Sequence, residues 1–115
     1  MPLLKDKDRD LLEGKLAKDL AAPVKLLFFT QELECETCQI TRQLAEEVAA
    51  LSDKITLVVY DFQQDKEPVA KYKIDKIPAL VIEGEKDYGI RYYGLPSGYE
   101  FASLIEDIVD VSQRT

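Results

Sequence analysis

The 115-residue chain contains no histidine, a single methionine and only two cysteines. Without His there is no Ser-His or Cys-His nucleophile pair, no imidazole general base and no imidazole metal ligand. Gly84, Gly89, Gly94 and Gly98 have neither the spacing of a phosphate-cradling loop nor a following Lys-Ser/Thr. No stretch approaches the ~20 apolar residues of a membrane span, and the start, Met1 to Asp8, lacks the apolar run of a secretory signal. Basic charge is short as well: 15 Lys and Arg face 22 Asp and Glu, a net charge of −7. Binding nucleic acid or anionic lipid needs clustered cations that displace counterions, so neither partner is expected. The chain reads as soluble and cytoplasmic, and its reactive groups are sulfur, carboxylate and amine.

What is present suffices for one packed domain over 1–115, because 46% of the residues are hydrophobic. Leu11, Leu12, Leu16 and Leu20 predict an amphipathic helix over 6–20, ended by Ala22-Pro23. Val24 to Phe29, apolar apart from Lys25, predicts a buried central strand. A polar connection from Thr30 to Glu34 leads to Cys35, and Ile40, Leu44, Val48 and Leu51 mark a helix from Glu36 to about Leu51. The β-branched run Ile55 to Tyr60 predicts a second buried strand. Gln63 to Tyr72 reads as a loop and short helix, with Pro68 tolerated only near its first turn. Ala79 to Ile82 and Ile90 to Tyr93 predict a hairpin about the turn-like Gly84 to Asp87, and Phe101, Leu104, Ile105, Ile108 and Val109 a final helix. The first two strands should run parallel with a right-handed crossover and the last two antiparallel. The order α, βαβ, α, ββα is that of an α/β thioredoxin fold: a central mixed four-stranded sheet flanked by helices, with an extra N-terminal helix.

The chemistry concentrates at Cys35-Glu36-Thr37-Cys38. Two cysteines scattered over this length would fall three apart only about once in sixty, so the spacing carries information. A buried strand, a short loop and a helix start surround it. There the free amides and the helix dipole stabilise a thiolate, the species that attacks disulfides. Cys35 is therefore the expected attacking thiol and Cys38, one turn further in, the resolving thiol. Plainer readings are two buried small apolar residues, a static disulfide, or half of a zinc site that would need further ligands. Glu32, Glu34 and Glu36 bring like charge to the pair, which disfavours the thiolate and predicts a reducing rather than strongly oxidising couple.

Taken with Ile77-Pro78 before a strand and the run Tyr88-Gly89-Ile90-Arg91-Tyr92-Tyr93-Gly94-Leu95-Pro96, the CxxC pair resembles the protein disulfide oxidoreductases of thermophiles. These are glutaredoxin-like proteins with two thioredoxin-fold units in tandem, and the resemblance points to the N-terminal unit over nearly the whole chain. It implies a cis Ile77-Pro78 bond whose loop lies against the cysteines. Ile77 would offer its backbone to an extended substrate like an added strand. It also implies protein disulfides or dithiols as substrates, a thioredoxin reductase-type electron donor and no bound cofactor. The chain departs from ordinary thioredoxins in lacking Trp before the first Cys and Gly-Pro between the two. Its first strand also has no acid, so no proton-relay carboxylate is expected from there. A second unit lies outside the sequence, so the chain reads as a single-unit protein or one unit of a longer one. Alkyl hydroperoxide reductase flavoproteins carry a related N-terminal segment, and membership there would need a flavin domain outside this chain. A non-catalytic interaction module and a redox sensor are the rival functions.

Overall fold

The computed structural model describes residues 3–31, 35, 37–96 and 99–114. Its elements are α1 (Asp6–Asp19), β1 (Val24–Thr30), α2 (Cys38–Ala49), β2 (Ile55–Asp61), α3 (Lys66–Lys71), β3 (Ala79–Glu83), β4 (Asp87–Tyr93) and α4 (Tyr99–Arg114). The strands form one sheet in the order β2-β1-β3-β4. β1 runs parallel to β2 and antiparallel to β3, and β3 is antiparallel to β4. This is the mixed sheet of the expected thioredoxin fold.

β1 is central because its alternate residues are apolar on both faces. Val24, Leu26 and Phe28 belong to one buried cluster with Leu16 of α1, Leu44, Ala45 and Val48 of α2, and Leu104, Ile105 and Ile108 of α4. Leu27 and Phe29 point the other way. They join Ala79 and Val81 of β3 with Tyr72 and Ile74, which follow α3. Three helices thus cover one face, while the second is covered by short α3 and the chain leaving it. Each fully buried large side chain stabilises the fold by roughly 1.5–3 kcal/mol relative to exposure.

Three expectations are corrected. In α1 only Leu16 is buried, with Leu20 just beyond the helix end, while Leu11 is 66% exposed. Leu12, Leu16 and Leu20 are spaced by four and share a face, whereas Leu11 is turned about 100° away from Leu12. β2 is an edge strand rather than a buried one: Ile55 is buried, but Leu57 to Tyr60 are only partly covered. β4 begins at Asp87, which was expected in the turn, because Glu83 pairs with Asp87 and closes the hairpin over Gly84 to Lys86. Among the described residues no helix is long and apolar enough to cross a membrane.

Candidate functional site: the cysteine pair and its platform

Cys35 and Cys38 are joined by a disulfide with their Cα atoms 5.5 Å apart. The two sulfurs are not equivalent: Cys38 is 3% exposed, whereas Cys35 is half-buried. The helix begins two residues later than the sequence suggested. Thr37 is its N-cap and Cys38 its first residue, because the first acceptor of the helical ladder is the Thr37 carbonyl, bonded by the Thr41 N–H at 3.0 Å. Cys35 therefore stands ahead of the helix, and Cys38, expected a turn inside it, opens it. Thr41, fully buried, donates its hydroxyl to the same Thr37 carbonyl at 2.7 Å and reinforces the turn that carries Cys38. Glu32, Glu34 and Glu36 lie outside the described residues.

The opposite wall comes from the loop before β3. The Ile77–Pro78 bond is cis, as the resemblance implied, and Pro78 is buried. Ala79 pairs with Phe29 on one side and Tyr93 on the other, and the Gly94 N–H donates to the Pro78 carbonyl at 2.8 Å. The end of β1 that leads into the cysteines is therefore the end at which Pro78 enters β3. Cys35, Cys38, Ile77 and Pro78 therefore lie toward the same end of the sheet. The Ile77 side chain packs against the smaller cluster. Among the described residues neither of its backbone polar groups has a hydrogen-bond partner.

Away from this loop the structure holds polar contacts that sequence reasoning missed. The Tyr72 hydroxyl donates to Glu83 at 2.6 Å, and burial together with that bond pushes the phenol well above its usual value. Arg91 bonds both carboxylate oxygens of Asp87, at 2.9 and 2.6 Å, and holds the Asp87 carboxyl below the ordinary range. Tyr92 is likewise pushed up, by burial and its hydrogen bond to Asp107 of α4. Glu47 of α2 is desolvated, which alone would raise it, but the Leu3 and Leu4 N–H groups at 2.7 and 2.9 Å bring it below its usual value. Tyr72 and Arg91 are distant in sequence and each is ordinary in its local pattern. The one available signal was that Arg91 stands inside the run Tyr88 to Pro96. Among the described residues no group of three or more Cys, Asp or Glu is placed to hold a metal ion.

A thioredoxin domain family model matches residues 24–106. A protein disulfide oxidoreductase from Aeropyrum pernix superposes with a TM-score of 0.85 at 25% identity, covering 96% of this chain and 48% of that one. The AhpF component of alkylhydroperoxide reductase from Enterococcus faecalis gives the same TM-score at 29% identity, covering 97% and 54%. A Halobacterium salinarum thioredoxin mutant, at 18% identity and a TM-score of 0.62 over 91% and 86%, shares the fold. No curated protein sequence matches. The chain spans about half the length of the first two structures.

Proposed function

We propose, for a chain that belongs to the thioredoxin domain family, that it is a thiol–disulfide oxidoreductase acting on protein disulfides. The observation that carries this reading is a disulfide between a half-buried Cys35 and a buried Cys38; the cis Ile77–Pro78 bond at the same end of the sheet supports it. In the reduced protein the more accessible Cys35 thiolate attacks one sulfur of a substrate disulfide. That S–S bond breaks, a Cys35–substrate bond forms, and the departing sulfur leaves as a thiolate that takes up a proton. Cys38, deprotonated, then attacks the Cys35 sulfur and displaces the second substrate thiolate. Two electrons have moved to the substrate and the Cys35–Cys38 disulfide is restored. An external dithiol, by resemblance a thioredoxin reductase system, would return them.

The reading extends to Ile77 and Pro78 as the substrate platform, with the Ile77 backbone, unpaired among the described residues, accepting an extended segment. It also extends to the cytoplasm of a thermophile, where intracellular disulfides persist and Glu- and Lys-rich surfaces are common. Similarity to AhpF of alkylhydroperoxide reductase at 29% identity supports a second reading, in which the pair serves one dedicated reductase system rather than proteins at large.

Reduction of insulin disulfides with dithiothreitol as electron source tests the proposal. The native chain should accelerate the reaction, and Cys35→Ser should abolish the acceleration. Cys38→Ser, reduced and freed of dithiothreitol before it meets insulin, should leave Cys35 trapped as a mixed disulfide visible by mass. A native rate equal to the dithiothreitol background would sink the reading in favour of a static disulfide.

A further inference from the structure

Arg91 has no part in the exchange chemistry, yet its side chain is only 17% exposed and its guanidinium is densely bonded. Nη1 and Nη2 hold the two oxygens of Asp87, Nη1 also donates to the Ile90 carbonyl at 3.1 Å, and Nε donates to the backbone carbonyl of Tyr72 at 3.2 Å. The guanidinium carbon lies 5.7 Å from the centre of the Tyr72 ring. A planar fork bound at both carboxylate oxygens cannot swing freely, so it presents its remaining donor from a fixed place. Tyr72 is pinned by its own ring as well, through Glu83 and against Phe29, whose ring centre is 6.0 Å away.

Tyr72 is where the chain leaves α3 and turns back toward Pro78. At the start of that return its carbonyl is held by Arg91, and at the end the Pro78 carbonyl is held by Gly94. Gly94 has φ of +80°, a conformation that glycine adopts without a side-chain penalty. Both fixings come from β4 and the residue after it, within the Tyr88 to Pro96 run. Between them Lys73 has φ of +56° and the Ile74 N–H bonds the Val69 carbonyl at 2.9 Å. Ile77 is suspended from this frame with its backbone groups unpaired among the described residues.

We propose that Arg91 is a positioning residue for polypeptide substrates: through the Tyr72 carbonyl it fixes the Tyr72–Pro78 segment, and so the register at which Ile77 pairs with a substrate strand. The inference rests on the thiol–disulfide reading and deepens it. A small disulfide without a peptide backbone has nothing to pair with Ile77, so Arg91 discriminates between the two substrate classes.

The test compares insulin with bis(2-hydroxyethyl) disulfide for the native chain, Arg91→Gln, Arg91→Lys and Asp87→Asn. Loss of the hydrogen bond to the Tyr72 carbonyl, together with the Asp87 fork that places it, predicts that Arg91→Gln raises KM for insulin about 5- to 10-fold with kcat within about twofold. The rate with the small disulfide should stay within about twofold of native. Arg91→Lys, which keeps a donor but cannot span Asp87 and Tyr72 together, should fall between. Asp87→Asn keeps Arg91 but loosens the fork and should raise KM about 2- to 3-fold; it decides the matter if Arg91→Gln does not fold. Equal losses on both substrates, or an unchanged KM for insulin, overturn the proposal while leaving the exchange reaction standing. A native chain inert toward both disulfides overturns the exchange reading and this proposal with it.

Discussion

The two faces of the sheet are built from different materials. The face under α1, α2 and α4 is mostly hydrocarbon: Leu26, Phe28, Leu80 and Ile82 meet Leu, Ile, Val and Ala side chains from three helices. The other face is aromatic and polar. Phe29 stacks on Tyr60 with ring centres 5.2 Å apart, and Tyr72, whose ring centre is 6.0 Å from that of Phe29, joins Glu83, Asp87 and Arg91 through directed bonds. Hydrocarbon packing is strong but tolerant of small shifts, whereas hydrogen bonds have narrow geometry. On the proposed reading, one side would supply stability and the other would hold the loop that meets substrate.

The comparison is broken most severely at Phe28, fully buried in the hydrocarbon face. Phe28→Ala should cost about 3–5 kcal/mol in chemical denaturation, since the cavity is walled by helices that cannot all collapse into it. Tyr72→Phe sharpens the contrast on the other face. It removes one bond to a partly exposed carboxylate and should cost about 1 kcal/mol near neutral pH. Its signature is alkaline. The folded Tyr72 phenol titrates above its unfolded value near 10, so its contribution is complete below about pH 10 and is lost as pH rises toward the folded value. The unfolding free energy of the native chain should therefore fall above about pH 10, and that of Tyr72→Phe should fall less steeply. Some slope should persist, because Tyr92 is raised in the same direction. Leu11→Ala, on the outer side of α1, should change stability by less than about 0.5 kcal/mol. A larger loss would mean that the outer side of α1 is covered in solution.

The same two faces mark how far the sequence could be read. The hydrocarbon face is written in local periodicity, which is why β1, α2, β3 and α4 were legible from runs such as Val24 to Phe29. Periodicity says nothing about a strand's neighbours, so Ile55 to Tyr60 looked buried and proved to be an edge. The CxxC pair was legible because its spacing is local, and the cis form of Ile77–Pro78 followed only from resemblance. The polar face could not be read, because the bond between Tyr72 and Arg91 spans 19 positions and neither residue breaks a local pattern. Arg91 stands in a recognisable run whose pattern assigns it no role. Its meaning depends on which carbonyl the fold delivers to it.

The strand order carries a consequence for how the molecule comes into being. Once α2 and β2 have emerged from the ribosome, β1 can pair on one side, with its parallel neighbour, and the cysteines, three positions apart, can already reach each other. The other edge of β1 must wait for β3, roughly fifty residues further along the chain. The two sulfurs can therefore come within reach of each other during synthesis before the Ile77–Pro78 loop is packed against the sheet.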